Sequence, residues 1–422
     1  MWIGMFASNI GTWMQTLVLP AYIDGRTKSG LWVGLFTFAQ LGPLLILSIA
    51  GGVLADKFPR RQWMITMQAA QLVLTLIIAG LVANDAPILW LFAIQLITGI
   101  GNAFNAPAMQ GTIPNLVDPR DLPGAISLNS VMINGSRVVG PAIAAVLMAQ
   151  GVSASGVFII NAVTYLFVIY ALCIIRIPNI PKATNEKGWA NFATGIRIAR
   201  QRTILARLLV GMSLFSFFCL PFVGLFSTVT RLNFGLDPQG GSTYKWLYAT
   251  WGLGACLGAL AIGTVLAHAD KARLIRPFML GFAAFLTAFA LQRSVGPAFP
   301  IGFALGFCYF ALATCMLTVM QQNLRSGERA RVMSLWFMAF GGTVGVGNLL
   351  FGPVIDWVGP TPVLLLGAAV AVALSWFCDV SRRPVRTLLD EEAAAAGNQF
   401  ERHSLEADRT AGLYEDGISA GD

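Results

Sequence analysis

Arg137 is the only cation deep within any of the long uncharged runs of this sequence, and no Asp or Glu lies equally deep. An arginine so placed either bonds carbonyls and amides as a structural clamp or attracts an anion. Side-chain amides stand at Asn9, Gln15, Gln40, Gln95, Asn102, Asn105, Asn129 and Asn134. Each either ties neighbouring elements together or meets a ligand. Asp24 closes the first run and is the carboxylate best placed to take up a proton; its plainer reading is a cap on the end of an element. Covalent chemistry has no such candidates. No nucleophile–base pair and no paired buried carboxylates are present. The cysteines at 173, 219, 256, 308, 315 and 378 lie inside apolar runs, with neither metal-site nor disulfide spacing. Two histidines, His268 and His403, cannot build a histidine metal centre. There is no Gly-x4-Gly-Lys-Ser/Thr phosphate loop, so the chain does not power itself with ATP. Neither metal, cofactor nor catalytic residue is expected, and the chain does not read as an enzyme.

The elements that position these groups follow from composition. Of 422 residues, 56% are hydrophobic and 11% charged, against about 25% charged in a soluble domain. A chain so poor in charge cannot coat itself for water. The net charge of +8 would suggest nucleic acid in a soluble protein, but the basic residues sit between apolar runs, where they set membrane topology. A helix crosses a bilayer in about 20 apolar residues. Runs free of Asp, Glu, Lys and Arg cover 1–23, 29–55, 62–84, 86–117, 122–136, 138–175, 208–230, 246–267, 277–292, 294–324, 332–355 and 357–378. The stretch 122–175, divided only by Arg137, holds two spans with a turn at Gly151-Val-Ser-Ala-Ser-Gly156. The run at 277–292 is short and is expected to start near Leu274, with Arg276 reaching to the interface. The reading is an all-α membrane protein of twelve transmembrane helices in a lipid bilayer.

Loop charge sets the orientation. With the N-terminus inside, the inner segments carry Lys57, Arg60, Arg61, Arg120, seven basic residues between Arg176 and Arg207, Lys271, Arg273, Arg276, Arg325, Arg329, Arg331, Arg382, Arg383 and Arg386. The outer loops carry only Arg26, Lys28, Arg231, Lys245 and Arg293. That bias places both termini in the cytoplasm, in a plasma or bacterial inner membrane. Met1 stands almost inside the first span without a basic flank, so a short basic lead is expected upstream.

Two motif pairs recur at nearly one offset. Val53-Leu54-Ala55-Asp56-Lys57 is echoed by Val265-Leu266-Ala267 and Asp270-Lys271; Met109-Gln110 with Ile126-Ser127-Leu128 is echoed by Met320-Gln321 with Met333-Ser334-Leu335. The chain therefore divides into a six-helix bundle over 1–175, a linker over 176–207, a second six-helix bundle over 208–379 and an acidic tail over 380–422. The linker, with Trp189, Phe192, Ile196 and Ile204 among its arginines, reads either as an amphipathic helix on the inner surface or as a solvated connector. The tail has too few large apolar residues to build a core and reads as disordered. Glycine pairs at Gly254/Gly258, Gly302/Gly306 and Gly341/Gly345 read as helix-packing seams.

Gly52-Val-Leu-Ala-Asp56-Lys57-Phe-Pro-Arg60-Arg61 between spans two and three resembles the signature loop of the major facilitator superfamily, with Lys57 for the usual Arg and Pro59 for the usual Gly. The resemblance implies that Gly52 allows close helix approach and that Asp56, with its basic neighbours, latches one half to the other. In span five, Gly135-Ser-Arg137-Val-Val-Gly140-Pro141-Ala-Ile-Ala-Ala resembles the superfamily's antiporter motif, with Ser136 and Ala144-Ala145 where glycines are usual. In span four, Gln95-Leu-Ile-Thr-Gly99-Ile-Gly101 departs from the pattern, since Gln95 replaces the arginine linked with proton coupling. Asn105 to Gln110, Ala125 to Ser130 and Arg137 to Pro141 are most similar to the siderophore-exporter-like branch, which contains the enterobactin exporter and many drug and macrolide efflux proteins.

In that fold, spans one, four, seven and ten line the cavity. The resemblance thus implies Asn9, Gln15, Gln95, Asn102 and Asn105 as substrate-pathway residues, with Asn134 beside them in span five. Facing them, Phe215, Phe217 and Phe218 of span seven and Phe307, Tyr309 and Phe310 of span ten offer an aromatic wall that suits a bulky amphipathic molecule. The expectation is a monomeric secondary transporter, exporting a siderophore, drug or other small organic molecule by proton-coupled alternating access, with Asp24 as the coupling carboxylate. A nutrient importer of the same superfamily and a non-transporting receptor or assembly partner are the alternatives.

Overall fold

The computed structural model describes residues 2–55, 58–112, 122–175, 188–238, 241–324 and 328–380. Residues 48–55, 60, 106–112, 122–131, 133–134, 137–138, 188–191 and 329–330 are placed in their helices by backbone alone. No strand occurs among the described residues. Lipid offers backbone N–H and C=O groups no partner, so a run too apolar for water must satisfy them within itself, as a helix does.

Six helices make the first half: α1 (Trp2–Thr27), α2 (Gly30–Ala55), α3 (Arg60–Ala83), α4 (Ile88–Thr112), α5 (Leu122–Ala149) and α6 (Ala154–Ile174). A short helix, α7 (Gly188–Gln201), precedes the second half and turns through 112° into α8 (Thr203–Cys219). The seventh span is broken: α8 gives way to α9 (Pro221–Gly224) and α10 (Phe226–Phe234). α11 (Ser242–Gly263), α12 (Lys271–Leu291) and α13 (Val295–Gln322) follow. The eleventh span is α14 (Arg329–Phe337), one π-turn at Met338–Gly342 and α15 (Thr343–Val358); α16 (Pro360–Phe377) is the twelfth. Among the described residues, nine helices are long and apolar enough to cross a bilayer, or ten with the bent α7–α8 pair. α1 and α5, with 26 and 28 residues, are also long enough, and they carry Asn9, Gln15, Asn134 and Arg137. The protein is a multi-pass helical membrane protein. α12 begins three residues before the expected Leu274, because Asp270 caps it by accepting from the Ala272 N–H at 2.9 Å.

The two halves repeat one packing scheme. α1 packs on α5 and α6, α2 on α4, and α3 on α4 and α6; the counterparts, six spans on, are α8 on α15 and α16, α11 on α13, and α12 on α13 and α16. The halves meet through α2 with α15 and α5 with α11, again a symmetric pair. Missing side chains allow these approaches. A Cβ on Gly99 would lie 2.0 Å from the Ala39 carbonyl oxygen, pinning α4 to α2; Gly254, against the Phe303 carbonyl oxygen at 2.0 Å, does the same for α11 and α13. Of the glycine pairs expected to be seams, Gly254, Gly258, Gly306 and Gly345 meet neighbouring backbone, whereas Gly302 has only ordinary contacts and Gly341 faces open space. All six cysteines are free thiols.

Candidate functional site

On α1, Asn9 is half-buried and Gln15 is 7% exposed. Gln15 Oε1 accepts from Asn161 Nδ2 of α6 at 2.6 Å, a buried amide pair between neighbouring helices. Gln95 of α4 is 1% exposed and Asn105 is 9% exposed, and Gln95 Oε1 and Asn105 Oδ1 have no hydrogen-bond partner among the described residues. Asn102, one turn from Asn105, is half-buried. Unpaired amide oxygens out of water are costly, which marks them as positions where a solute or water belongs. In α5, Gly140 is fixed by geometry: a Cβ there would sit 2.7 Å from the Ile10 carbonyl oxygen and from Trp13 Cβ of α1. Pro141 follows inside the same helix; the side chains of Asn134 and Arg137, on α5 one turn earlier, lie outside the described residues.

The end of the bundle at which α1 finishes holds the charged part of the site. Asp24 is 0% exposed, near the end of α1. Arg231 of α10 reaches it with two bonds, Nε to Oδ2 at 2.8 Å and NH2 to Oδ1 at 3.0 Å, and Thr228 Oγ1 donates to Oδ1 at 2.9 Å. This pair joins the halves, and a buried, bidentate geometry is the one in which mutual attraction can offset desolvation. A second acid crosses nearby. Asp356, in the last turn of α15, accepts from Ser29 Oγ at 2.8 Å, the Gly30 N–H at 2.7 Å and the Leu31 N–H at 3.1 Å. It caps the N-terminus of α2 from the other half, where the helix dipole favours negative charge. The backbones there touch, since a Cβ on Gly352 would lie 2.4 Å from the Gly30 carbonyl oxygen. That end is thus closed by two elements of one half, α1 and α2, against two of the other, α10 and α15.

At the opposite end of α2, Asp56 and Lys57 lie outside the described residues. Gly52 is in the last turn of α2 and Arg60 is the first residue of α3. Arg61 stays within its own half: Nε donates to the Leu172 carbonyl at 2.8 Å and NH2 to the Cys173 carbonyl, capping the C-terminus of α6. Arg202 bonds Glu328 at 2.9 Å and the Asn323 carbonyl at 2.7 Å, tying the start of α8 to the loop after α13.

The aromatic residues of the second half fall into one large packed cluster and two smaller groups. Phe215 lies 4.8 Å from Phe282 and 6.1 Å from Tyr309, ring to ring; Tyr309 meets Phe310 at 4.4 Å and stacks on Phe340 of the π-turn at 6.3 Å. Phe217 and Phe218 turn to Phe351, and Phe307 to Phe278. Where span seven breaks, Asn348 of α15 fills the notch beside Gly224; it is fully buried and its Oδ1 has no partner among the described residues. Sequence reading counted Arg231 as loop charge and passed over Asn161 and Asn348. The last two were legible as single amides inside apolar runs.

Comparison with known proteins agrees with this architecture. A family model described as "transmembrane secretion effector" matches residues 1–412. Macrolide efflux protein A of Streptococcus pyogenes is 22% identical over 390 residues, covering 89% of this chain and 94% of that protein. The staphyloferrin A transporter of Staphylococcus aureus is 29% identical, over 42% of this chain and only 45% of its own length. The enterobactin exporter EntS of Salmonella typhimurium is 23% identical over 65% of this chain and 64% of its own. Among solved structures, the nucleoside transporter NupG (15% identity, TM-score 0.66) and the E. coli fucose:proton symporter FucP (13%, TM-score 0.62) each align with 90% of this chain, covering 98% and 96% of their own. At that identity they show the fold alone, two domains of six helices.

Proposed function

Since the chain belongs to the transmembrane secretion effector family of major facilitator transporters, which are not enzymes, we propose that it exports a small organic molecule by alternating access. The observation that carries the direction is its similarity to macrolide efflux protein A along nearly the whole chain. A macrolide-like drug or a siderophore is the proposed solute class, the latter supported by the resemblance to EntS. The protein lies in the plasma or inner membrane as a monomer, with both termini in the cytoplasm; the bias of loop charge supports that orientation. Asn9, Gln95, Asn102, Asn105 and Asn134 line the pathway, and the unpaired oxygens of Gln95 and Asn105 support their place there. Gln15, paired with Asn161, shapes that pathway through α6. Gly140 and Pro141 set the packing of α5 on α1 and so the placement of Arg137.

Coupling runs through Asp24. Its negative charge holds Arg231 and closes the outer end; a proton on it weakens that tie and so favours the outward-open state. Asp56, Lys57 and Arg60, with Gly52, form the inner counterpart of this latch, and Arg61 anchors that loop to α6. The test is accumulation of a radiolabelled macrolide and of enterobactin in pump-deficient cells. Expression is expected to lower retention of one of them severalfold, and Arg137→Ala, still present in the membrane, is expected to restore it. Unchanged or increased retention of both on expression would overturn export.

A further inference from the structure

Lys245 is one of the five basic residues facing outward, yet it is 4% exposed. It stands in the first turn of α11, and its ammonium makes no hydrogen bond or ion pair with any described residue. With no protein partner, the ammonium of Lys245 must face water or a solute. It lines a cavity of about 290 Å³ between the halves, with Tyr22 of α1, Met148 of α5, Ser153 before α6, and Pro238 and Tyr244 on its own side.

The surroundings are positive. The cavity lies at the N-terminal ends of two helices, α6 and α11. Ser153 Oγ already accepts the Gly156 N–H at 3.2 Å, which leaves its hydroxyl hydrogen free to donate. Gly241, before α11, supplies no side-chain acceptor for that helix's first N–H groups. Such ends favour anions. The nearby acids are committed or displaced: Asp24 is held by Arg231 and Thr228, and Asp85 accepts from the Tyr22 hydroxyl at 3.0 Å. The charge of Asp237 is felt at Lys245 without an ion pair between them. Ligand pockets for whole drug-sized molecules run from about 300 to 1,000 Å³; this one holds a single charged group.

We propose that this cavity is an oxyanion site, in which Lys245, the Ser153 hydroxyl and the two helix N-termini bind one phosphate or carboxylate group. The group is either the headgroup of an anionic lipid entering between α5 and α11, or the acidic arm of a free solute. The site stands independently of the direction of transport.

Calorimetry on the full chain in phosphatidylcholine nanodiscs tests it, with glycerol 3-phosphate as the soluble probe and phosphatidylglycerol doped into the disc as the lipid probe. Saturable glycerol 3-phosphate binding is expected, weakened at least tenfold by Lys245→Gln and within threefold of wild type in Lys245→Arg. Competition by phosphatidylglycerol assigns the site to a headgroup; undiminished binding in doped discs assigns it to a free solute. As a check that needs no variant, glycerol 3-phosphate or phosphatidylglycerol should protect Lys245 of the wild type from acetylation, read by mass spectrometry. Absence of binding and protection by both probes, or equal binding in Lys245→Gln, overturns the site. Macrolide and enterobactin retention, measured separately, reports on export and not on this site.

Discussion

Removing one member of a charge pair held out of water leaves the other without compensation, at a cost of about 3–5 kcal/mol. Asp24→Asn and Arg231→Met each do this to the pair at the outer end, and each is expected to lower the melting temperature in detergent. The double variant should lose less than the sum of the two, because it leaves no stranded charge; additive losses would show that the two groups do not act together. The amides divide by the same logic. Asn161→Leu breaks a made bond and should cost up to about 2 kcal/mol, whereas Gln95→Leu removes an oxygen that already lacks a partner and should leave stability unchanged while lowering transport. Equal effects of the two on stability would place Gln95 among the structural clamps. Asp24 was legible in the sequence as a carboxylate at a span end. Its partner was not: Arg231 lies 207 positions away, and only the folding of one half against the other brings them together.

Helix placement was legible because bilayer thickness and the absence of water leave few choices for an apolar run of about 20 residues. The irregular places were not. The run 208–230 reads as one span, yet Pro221 lacks the N–H that would continue α8, and the chain breaks at Leu220 and again at Leu225. The π-turn at Met338–Gly342 has no local signal at all, and it is where Gly342 meets Leu45 of the other half. Seam glycines likewise depend on what lies opposite. Gly99→Ala would drive a methyl into the Ala39 carbonyl and part α4 from α2, a loss of about 1–3 kcal/mol. Gly80→Ala, on a face of α3 with nothing within 4 Å, should raise stability by about 0.5–1 kcal/mol. Paired thermal unfolding of the two variants checks this; a loss at Gly80 matching that at Gly99 would remove close packing as the cause.

On the scale of the whole molecule, the repeat visible as two faint motif echoes is the packing scheme itself, with the main pairings of the first half recurring six spans on. We propose that the moving parts lie where the halves meet, at α2 with α15, α5 with α11 and α1 with α10, and that the polar ties across these contacts decide which face is closed. The most direct measurement is the distance across the end closed by Asp24 and Arg231. Spin labels at Asn84 and Ser294, exposed in the corresponding α3–α4 and α12–α13 loops of the two halves, report it in a background with all six native cysteines replaced by alanine. Wild type at neutral pH should give one short-distance population, and Asp24→Asn should add a longer one without any change in fold. Identical distance distributions for wild type and Asp24→Asn would contradict a closure held by the Asp24–Arg231 pair.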